Sequence, residues 1–106
     1  MYGKRARIGL IAPPTNTVIE AEFYRMTPEG VSIHTARPEW ENPESTPESL
    51  IRMSGGVADA AQRVANAGVG VILWGCTSGS FVKGVGFDKE LSSRIEDATN
   101  IEGLTT

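Results

Sequence analysis

The chain has 106 residues, of which 10 are lysine or arginine and 13 are aspartate or glutamate, so its net charge is -3. This length suits one domain with a single modest core, and the weak negative charge gives no general attraction to nucleic acid or anionic membranes. A single cysteine excludes an intramolecular disulfide and the polar start predicts no signal peptide, so we expect a cytoplasmic protein with no membrane anchor.

A strand, a helix and a second strand are predicted in the first third of the chain. The apolar run 7–12 ends at two prolines, which cannot donate to a neighbouring strand, and so predicts a buried first strand. Thr17 and Glu20 have the spacing of a capping box, which predicts a helix with Thr17 as its N-cap. Residues 31–36 alternate in hydropathy and predict the second strand, where His34 is expected to be hydrogen-bonded or exposed rather than catalytic.

A loop and a long helical segment follow. The proline-rich, acidic stretch 38–47 predicts an irregular surface loop, with Trp40 as an anchoring aromatic residue. Thr46 followed by Pro47 is typical of a helix start, and apolar residues at steps of three and four continue toward residue 68. The pair Gly55-Gly56 predicts a bend or a split in this helix.

The last third of the chain predicts two more strands and a helix. The run 69–74, VGVILW, is continuous and apolar, as in a central parallel strand covered on both faces, with Trp74 in the core. Asp88 is predicted to cap a helix that ends near residue 99, and residues 101–106 predict the start of a fourth strand. The chain stops there, which suggests a truncated unit.

The alternation of strands and helices predicts an α/β fold with a parallel sheet, right-handed crossovers and helices on both faces. Ligands of such sheets bind beyond the carboxyl ends of the strands, where the strand order reverses. If the first strand lies between the second and third, segments 13–17 and 75–79 flank that point.

The only cysteine, Cys76, lies in the second of these segments, within the sequence GCTSGSF. A thiol attacks as its thiolate, and backbone N–H groups beyond the end of a strand lower the thiol pKa. The hydroxyl groups of Thr77 and Ser78 can donate to an oxyanion, and the flanking glycines allow a small carboxylate to approach the backbone. The alternative is that Cys76 is a small core residue and that Thr77 and Ser78 are helix caps.

The first segment, PPTNT, contributes Asn16. Its carboxamide could donate a hydrogen bond to a substrate carboxylate, or Asn16 could be an ordinary turn residue. The sequence leaves both interpretations open, whereas the capping box accounts for Thr17 without a functional role.

Several other site classes are excluded. Val82 stands where the loop of a cysteine phosphatase needs an arginine, and neither a P-loop nor a complete dinucleotide fingerprint is present. One cysteine and one histidine are too few for a zinc site. We therefore expect neither a metal nor an organic cofactor.

The motifs PPTNT and GCTSGSF, each following an apolar strand, resemble the maleate cis-trans isomerases. These enzymes belong to the aspartate/glutamate racemase superfamily, which also includes arylmalonate decarboxylase. The resemblance extends over residues 1–106 and corresponds to the N-terminal lobe, or most of it, of a two-lobed chain. It implies a flavodoxin-like three-layer sandwich with strand order 2-1-3-4 and an active site between the two lobes.

The resemblance also implies a mechanism. Cys76 is the implied nucleophile, and Asn16, Pro14, Thr77 and Ser78 are the implied substrate-binding residues. The thiolate adds to the double bond of maleate, the adduct rotates, and expulsion of the thiol gives fumarate without a cofactor. The family's opposing acid/base is a second cysteine from the other lobe, so the 106-residue chain alone is expected to be inactive.

Other functions stay open. They are an aspartate/glutamate-type racemase, an enzyme like arylmalonate decarboxylase, and a non-catalytic lobe that binds a small anion and carries an inert Cys76. The decarboxylase resembles this sequence but lacks a cysteine in this half. In each enzymatic case the expected partner is a small dicarboxylate, and an incompletely covered sheet predicts self-association, as a homo-oligomer.

Overall fold

The computed structural model describes residues 5–44, 46–76 and 83–106, and it contains a parallel sheet with helices on both faces. Its elements are β1 (Ala6–Ile11), α1 (Ile19–Met26), β2 (Val31–Ala36), α2 (Pro47–Ser54), α3 (Val57–Ala65), β3 (Val71–Trp74), α4 (Phe87–Thr99) and β4 (Glu102–Thr105). The strand order is β2-β1-β3-β4 and all three pairings are parallel. The predicted fold class and strand order are therefore confirmed.

The register of the sheet brings three loops to one edge. Ile11, the last residue of β1, pairs with Ala36 of β2 on one side and with Trp74 of β3 on the other. Because all strands run in the same direction, the segments that follow these residues leave the sheet side by side. The segments beginning at residues 12, 37 and 75 are thus neighbours in space although they are far apart in sequence.

The apolar residues form one cluster on each face of the sheet. The larger cluster joins α2, α3 and α4 to the sheet, and its members include Ile11, Met53, Ala60, Ala61, Ile72, Trp74, Leu91 and Ile95. The smaller cluster contains Leu10, Ala12 and Ile33, with Ile19 and Phe23 of α1 packed against it. A fully buried Val, Leu, Ile, Phe or Met side chain contributes about 1.5–3 kcal/mol, and the larger cluster contains more of them.

The predicted capping box at α1 is wrong. The helix begins at Ile19, and its N-cap residue, Val18, makes no side-chain cap hydrogen bond. The cap is instead the Oδ1 atom of Asn16, which accepts from the amides of Val18 and Ile19 at 2.9 and 3.0 Å. Glu20 is unavailable for a capping box because its carboxylate binds the side chains of Thr35 and Arg37.

Of the other predicted helix boundaries, the start of α2 and the split at Gly55-Gly56 are confirmed, and the cap of α4 is wrong. Thr46 caps α2 as predicted, since its hydroxyl accepts from the amide of Ser49 at 3.3 Å, and the long helix is split into α2 and α3 at Gly55-Gly56. The predicted cap at Asp88 is wrong, because α4 begins one residue earlier, after Gly86 in the left-handed conformation. Asp88 lies in the first turn, where its charge still favours the helix dipole.

Two aromatic side chains and the single histidine have the surroundings expected of structural residues. Trp74 is fully buried, and the indole N–H of Trp40 donates to the hydroxyl of Ser49 at 2.8 Å. His34 Nε2 lies 2.8 Å from the hydroxyl of Ser32. Segment 38–44 contains neither helix nor strand, as the sequence predicts.

Among the helices that the structure describes, none is both long enough and apolar enough to cross a membrane.

Candidate functional site

Two clefts open at the carboxyl edge of the sheet, with volumes of about 290 and 310 Å³. Both have Pro13, Asn16 and Cys76 in their walls. The smaller cleft is completed by Ile19, Glu22, Gly75 and Thr106, and the larger by Thr15, Thr17, Val18, Trp40 and Leu50. The clefts therefore meet where β1 and β3 end, which is the point at which the strand order reverses.

Cys76 reaches the clefts through a short extension of β3. The amide of Gly75 donates to the carbonyl oxygen of Ile11 at 2.8 Å, which continues the pairing of β1 and β3 by one residue. Cys76 then lies half-buried, against the edge of the larger apolar cluster and in the walls of both clefts. Its thiol is thus neither sealed in the core nor fully exposed to solvent.

The residue immediately before the cysteine, Gly75, lies close to the side chains of α1 and β1. A Cβ atom added to Gly75 would lie 2.6 Å from Cδ1 of Ile19 and 3.1 Å from Cδ1 of Leu10. Both distances are shorter than ordinary van der Waals contact, so a side chain here would displace the terminal methyl groups of Ile19 and Leu10. The absence of a side chain at position 75 lets the strand pass close beneath the start of α1.

Asn16 is held at its backbone amide and at its side-chain oxygen. Its amide donates to the carbonyl oxygen of Pro13 at 3.0 Å, and its Oδ1 atom accepts from the first amides of α1. Because an amide N–H can donate only to the side-chain oxygen, these contacts fix which end of the carboxamide faces the helix. The side-chain NH₂ group is then the part of Asn16 that can donate to a ligand in the cleft.

The predicted site residues fall into three groups. Asn16 and Cys76 lie in the walls of the same two clefts. Pro14 is exposed and lines neither cleft, whereas the buried Pro13 lines both. Thr77 and Ser78 lie outside the described residues, so their proposed substrate contacts stay predictions.

No functional role was predicted for two apolar wall residues of the larger cleft, Trp40 and Leu50. Trp40 follows β2, and Leu50 lies in the first turn of α2, where its helical spacing marked it only as a core residue. The parallel topology could have indicated Trp40, because every segment that follows a strand reaches the carboxyl edge of the sheet. These two side chains give the larger cleft an apolar wall opposite the polar PPTNT turn.

The described walls carry little charge. Glu22 is the one charged side chain among them, and within residues 5–44, 46–76 and 83–106 no three His, Cys, Asp or Glu side chains are grouped as a metal site would need. An anion bound here would be held mainly by neutral N–H and O–H donors. Donors of this kind, fixed before the ligand arrives, stabilise negative charge that develops during a reaction.

Comparisons with known proteins agree with this architecture. The maleate isomerase Iso from Pseudomonas putida S16 superposes with a TM-score of 0.80 at 24% identity, covering 94% of this chain and 44% of the isomerase chain. A liganded arylmalonate decarboxylase with glycine-to-cysteine and cysteine-to-serine substitutions gives 0.81 at 28% identity, covering 94% and 41%. A Nocardia farcinica maleate cis-trans isomerase mutant with a covalently bound succinylcysteine intermediate gives 0.76 at 23% identity, covering 94% and 44%.

This chain therefore spans less than half the length of the solved proteins it matches. No curated protein is significantly similar to it in sequence. The sequence model of the arylmalonate decarboxylase family, however, matches residues 8–106, which is nearly the whole chain. The chain belongs to the arylmalonate decarboxylase family.

Proposed function

We propose that the complete gene product isomerises maleate, or a closely related cis-dicarboxylate, to the trans isomer without a cofactor, and that Cys76 is its nucleophile. The observation that carries this proposal is the position of Cys76 and Asn16 in the walls of the same clefts, at the carboxyl ends of β1 and β3. A thiol and a fixed N–H donor are the two groups that addition to an unsaturated carboxylate requires.

The chemistry follows from these two groups. The thiolate of Cys76 forms a C–S bond to one alkene carbon, and the π electrons move to the neighbouring carbon and its carboxylate. The NH₂ group of Asn16 stabilises the charge that develops on that carboxylate, with Thr77 and Ser78 as further proposed donors. A proton then adds to the neighbouring carbon and gives a succinyl adduct with a single bond between the two carbons. After rotation, loss of the same proton and expulsion of the thiolate give fumarate.

The proton in this scheme needs a donor on the other side of the substrate. This chain has one cysteine, which the scheme uses as the nucleophile. We propose that residues 1–106 form the N-terminal lobe of a two-lobed enzyme and that the opposing acid/base lies in the other lobe. The 106-residue chain alone should then bind a small dicarboxylate weakly and should not turn it over.

The decisive experiment follows maleate and fumarate by proton NMR with the complete gene product and its Cys76→Ser and Cys76→Ala variants. We expect fumarate from the unchanged protein and none from either variant, since neither a hydroxyl nor a methyl group replaces a thiolate in this addition. Mass spectrometry of the unchanged protein should detect an adduct equal in mass to one added maleic acid. Undiminished turnover by Cys76→Ser would exclude Cys76 as the nucleophile.

A decarboxylase is the second candidate because the matching family model is that of arylmalonate decarboxylase. Such an enzyme would stabilise an enediolate with the same donors and then protonate it, so Cys76 would not need to form a C–S bond. Release of CO₂ from a 2-arylmalonate, together with an unchanged amount of maleate, would favour the decarboxylase over the isomerase. Racemisation of an amino acid dicarboxylate would favour the racemase.

A further inference from the structure

Arg37 joins the loop that carries Asn16 to helix α1 and to strand β2. Its Nη1 atom donates to the carbonyl oxygens of Pro13 and Asn16 at 2.6 and 2.9 Å, and its Nη2 atom binds Oε1 of Glu20 at 2.8 Å. The other oxygen of Glu20 accepts from the hydroxyl of Thr35 at 2.9 Å. One guanidinium thus contacts both ends of the turn and the first turn of the helix that follows it.

The sheet register explains why Arg37 is in reach. Ala36, the last residue of β2, pairs with Ile11, and the amide of Ala12 donates to the carbonyl oxygen of Ala36 at 3.1 Å. Arg37 therefore lies beside the point at which the first loop leaves β1. The side chain is one-third exposed and its ion pair with Glu20 is partly solvated, so the ion pair alone contributes little stability.

We propose that Arg37 is a positioning residue, which holds the Pro13–Asn16 turn so that the NH₂ group of Asn16 faces the ligand. The proposal rests on the proposed function of Asn16. Arg37 lines neither of the two described clefts, so it acts through the turn rather than on the substrate. By binding the two carbonyl oxygens, it also keeps them from presenting negative partial charge to an anion. Lysine cannot replace it fully, because an ammonium lacks the planar fork that contacts both carbonyls and Glu20.

The test uses the complete gene product with the substitutions Arg37→Gln, Arg37→Lys and Glu20→Gln. Arg63→Gln is the matched control, since it removes an exposed arginine that pairs with Asp59 at a distance of four residues on α3 and lies outside both clefts. We expect Arg37→Gln to lower kcat/KM for maleate by about 10- to 100-fold, the value of a hydrogen bond to a charged group. Arg37→Lys should recover part of the loss, and the control should be unchanged.

A double-mutant cycle with Asn16→Ala separates positioning from direct binding. If Arg37 acts through Asn16, adding Arg37→Gln to Asn16→Ala should change kcat/KM by less than about threefold, because the donor that Arg37 positions is already absent. The pH dependence of Cys76 alkylation by iodoacetamide should be the same with and without Arg37. Full additivity of the two substitutions, or a shifted alkylation profile, would overturn the proposal.

A second measurement does not depend on catalysis. Hydrogen exchange at the Asn16 and Val18 amides, which bond within the turn and to the cap, should become at least about tenfold faster in Arg37→Gln and stay unchanged in Arg63→Gln. If maleate is not a substrate but exchange is faster, Arg37 does hold the Pro13–Asn16 turn and the proposed function is wrong. Unchanged exchange in Arg37→Gln and Glu20→Gln would refute the proposal that Arg37 holds this turn.

Discussion

Substitutions of Asn16 by aspartate and alanine separate its cap hydrogen bonds from its proposed donor function. The Oδ1 atom accepts from two backbone amides at the start of α1, and aspartate retains such an oxygen while alanine does not. Loss of an N-cap side chain costs about 0.5–2 kcal/mol, and about 1 kcal/mol lowers Tm by roughly 4–8 °C in a domain of this size. Asn16→Ala should therefore unfold several degrees lower than the unchanged chain.

Asn16→Asp should keep the stability that Asn16→Ala loses but should bind maleate more weakly. A carboxylate at a helix N-terminus adds about 0.3–1 kcal/mol through the helix dipole, so Tm should stay the same or rise. The same carboxylate has no hydrogen to donate and repels an anionic ligand. Two charges about 4 Å apart at an effective dielectric constant of 20 repel by about 4 kcal/mol. Because Asn16 is only half-buried, we discount this value for solvent screening and expect maleate affinity to fall by at least about 30-fold.

Thermal unfolding by circular dichroism measures the change in Tm. Calorimetric titration with maleate of the complete gene product carrying Cys76→Ala, which should not turn maleate over, measures the change in affinity. Asn66→Asp is the control, since it adds the same charge after α3, at the opposite edge of the sheet, and should leave maleate binding unchanged. The reasoning would be refuted by an Asn16→Asp variant that binds maleate as the unchanged protein does. It would also be refuted if that variant were as unstable as Asn16→Ala.

Substitutions of three glycines and one tryptophan test the packing of the sheet. Gly103→Ala puts a Cβ atom 2.8 Å from a backbone oxygen of α4 and should lower the free energy of unfolding in urea by about 1–3 kcal/mol. A Cβ atom at Gly70 meets no atom within 4 Å, so Gly70→Ala should change that free energy by less than about 0.5 kcal/mol. Equal costs would contradict the packing argument. Gly75→Ala should be tolerated better than Gly103→Ala because the terminal methyl of Ile19 can turn away, but iodoacetamide should then react more slowly with the neighbouring thiol. The buried indole N–H of Trp74 has no partner among the described residues, so Trp74→Phe should cost less than about 2 kcal/mol, against about 3–5 kcal/mol for Trp74→Ala.

The local pattern of the chain was sufficient to predict the strands. A proline-terminated apolar run, an alternating segment and a continuous apolar run predicted β1, β2 and β3, since burial of one or both faces restricts the residues that a strand can contain. The strand order 2-1-3-4 was implied by the family resemblance of PPTNT and GCTSGSF, and with that order Asn16 and Cys76 flank the point at which the order reverses. Glycine and proline likewise predicted the start of α2 and the split before α3, because their backbone limits act at the residue itself.

The cap of α1 shows where local patterns are insufficient. Asn16 and Thr17 are both good caps, and the sequence favoured Thr17 because Glu20 follows at the correct spacing. In the structure Glu20 is bound by Arg37, 17 residues away, so the capping box cannot form and Asn16 caps the helix. The choice between two adjacent caps thus depends on a contact that no local pattern contains.

The sequence alone determined which residue types stand after each strand, and so predicted a thiol as the reactive group and a carboxamide as a binding group. Only the tertiary structure decided how they are held. Arg37 reaches the carbonyl oxygens of Pro13 and Asn16 across 24 and 21 residues, and Trp40 and Leu50 become cleft walls through the same convergence of loops. The physical reason is that backbone propensities act over a few residues, whereas hydrogen-bond partners and cleft walls are fixed by the register of a parallel sheet, which joins distant segments.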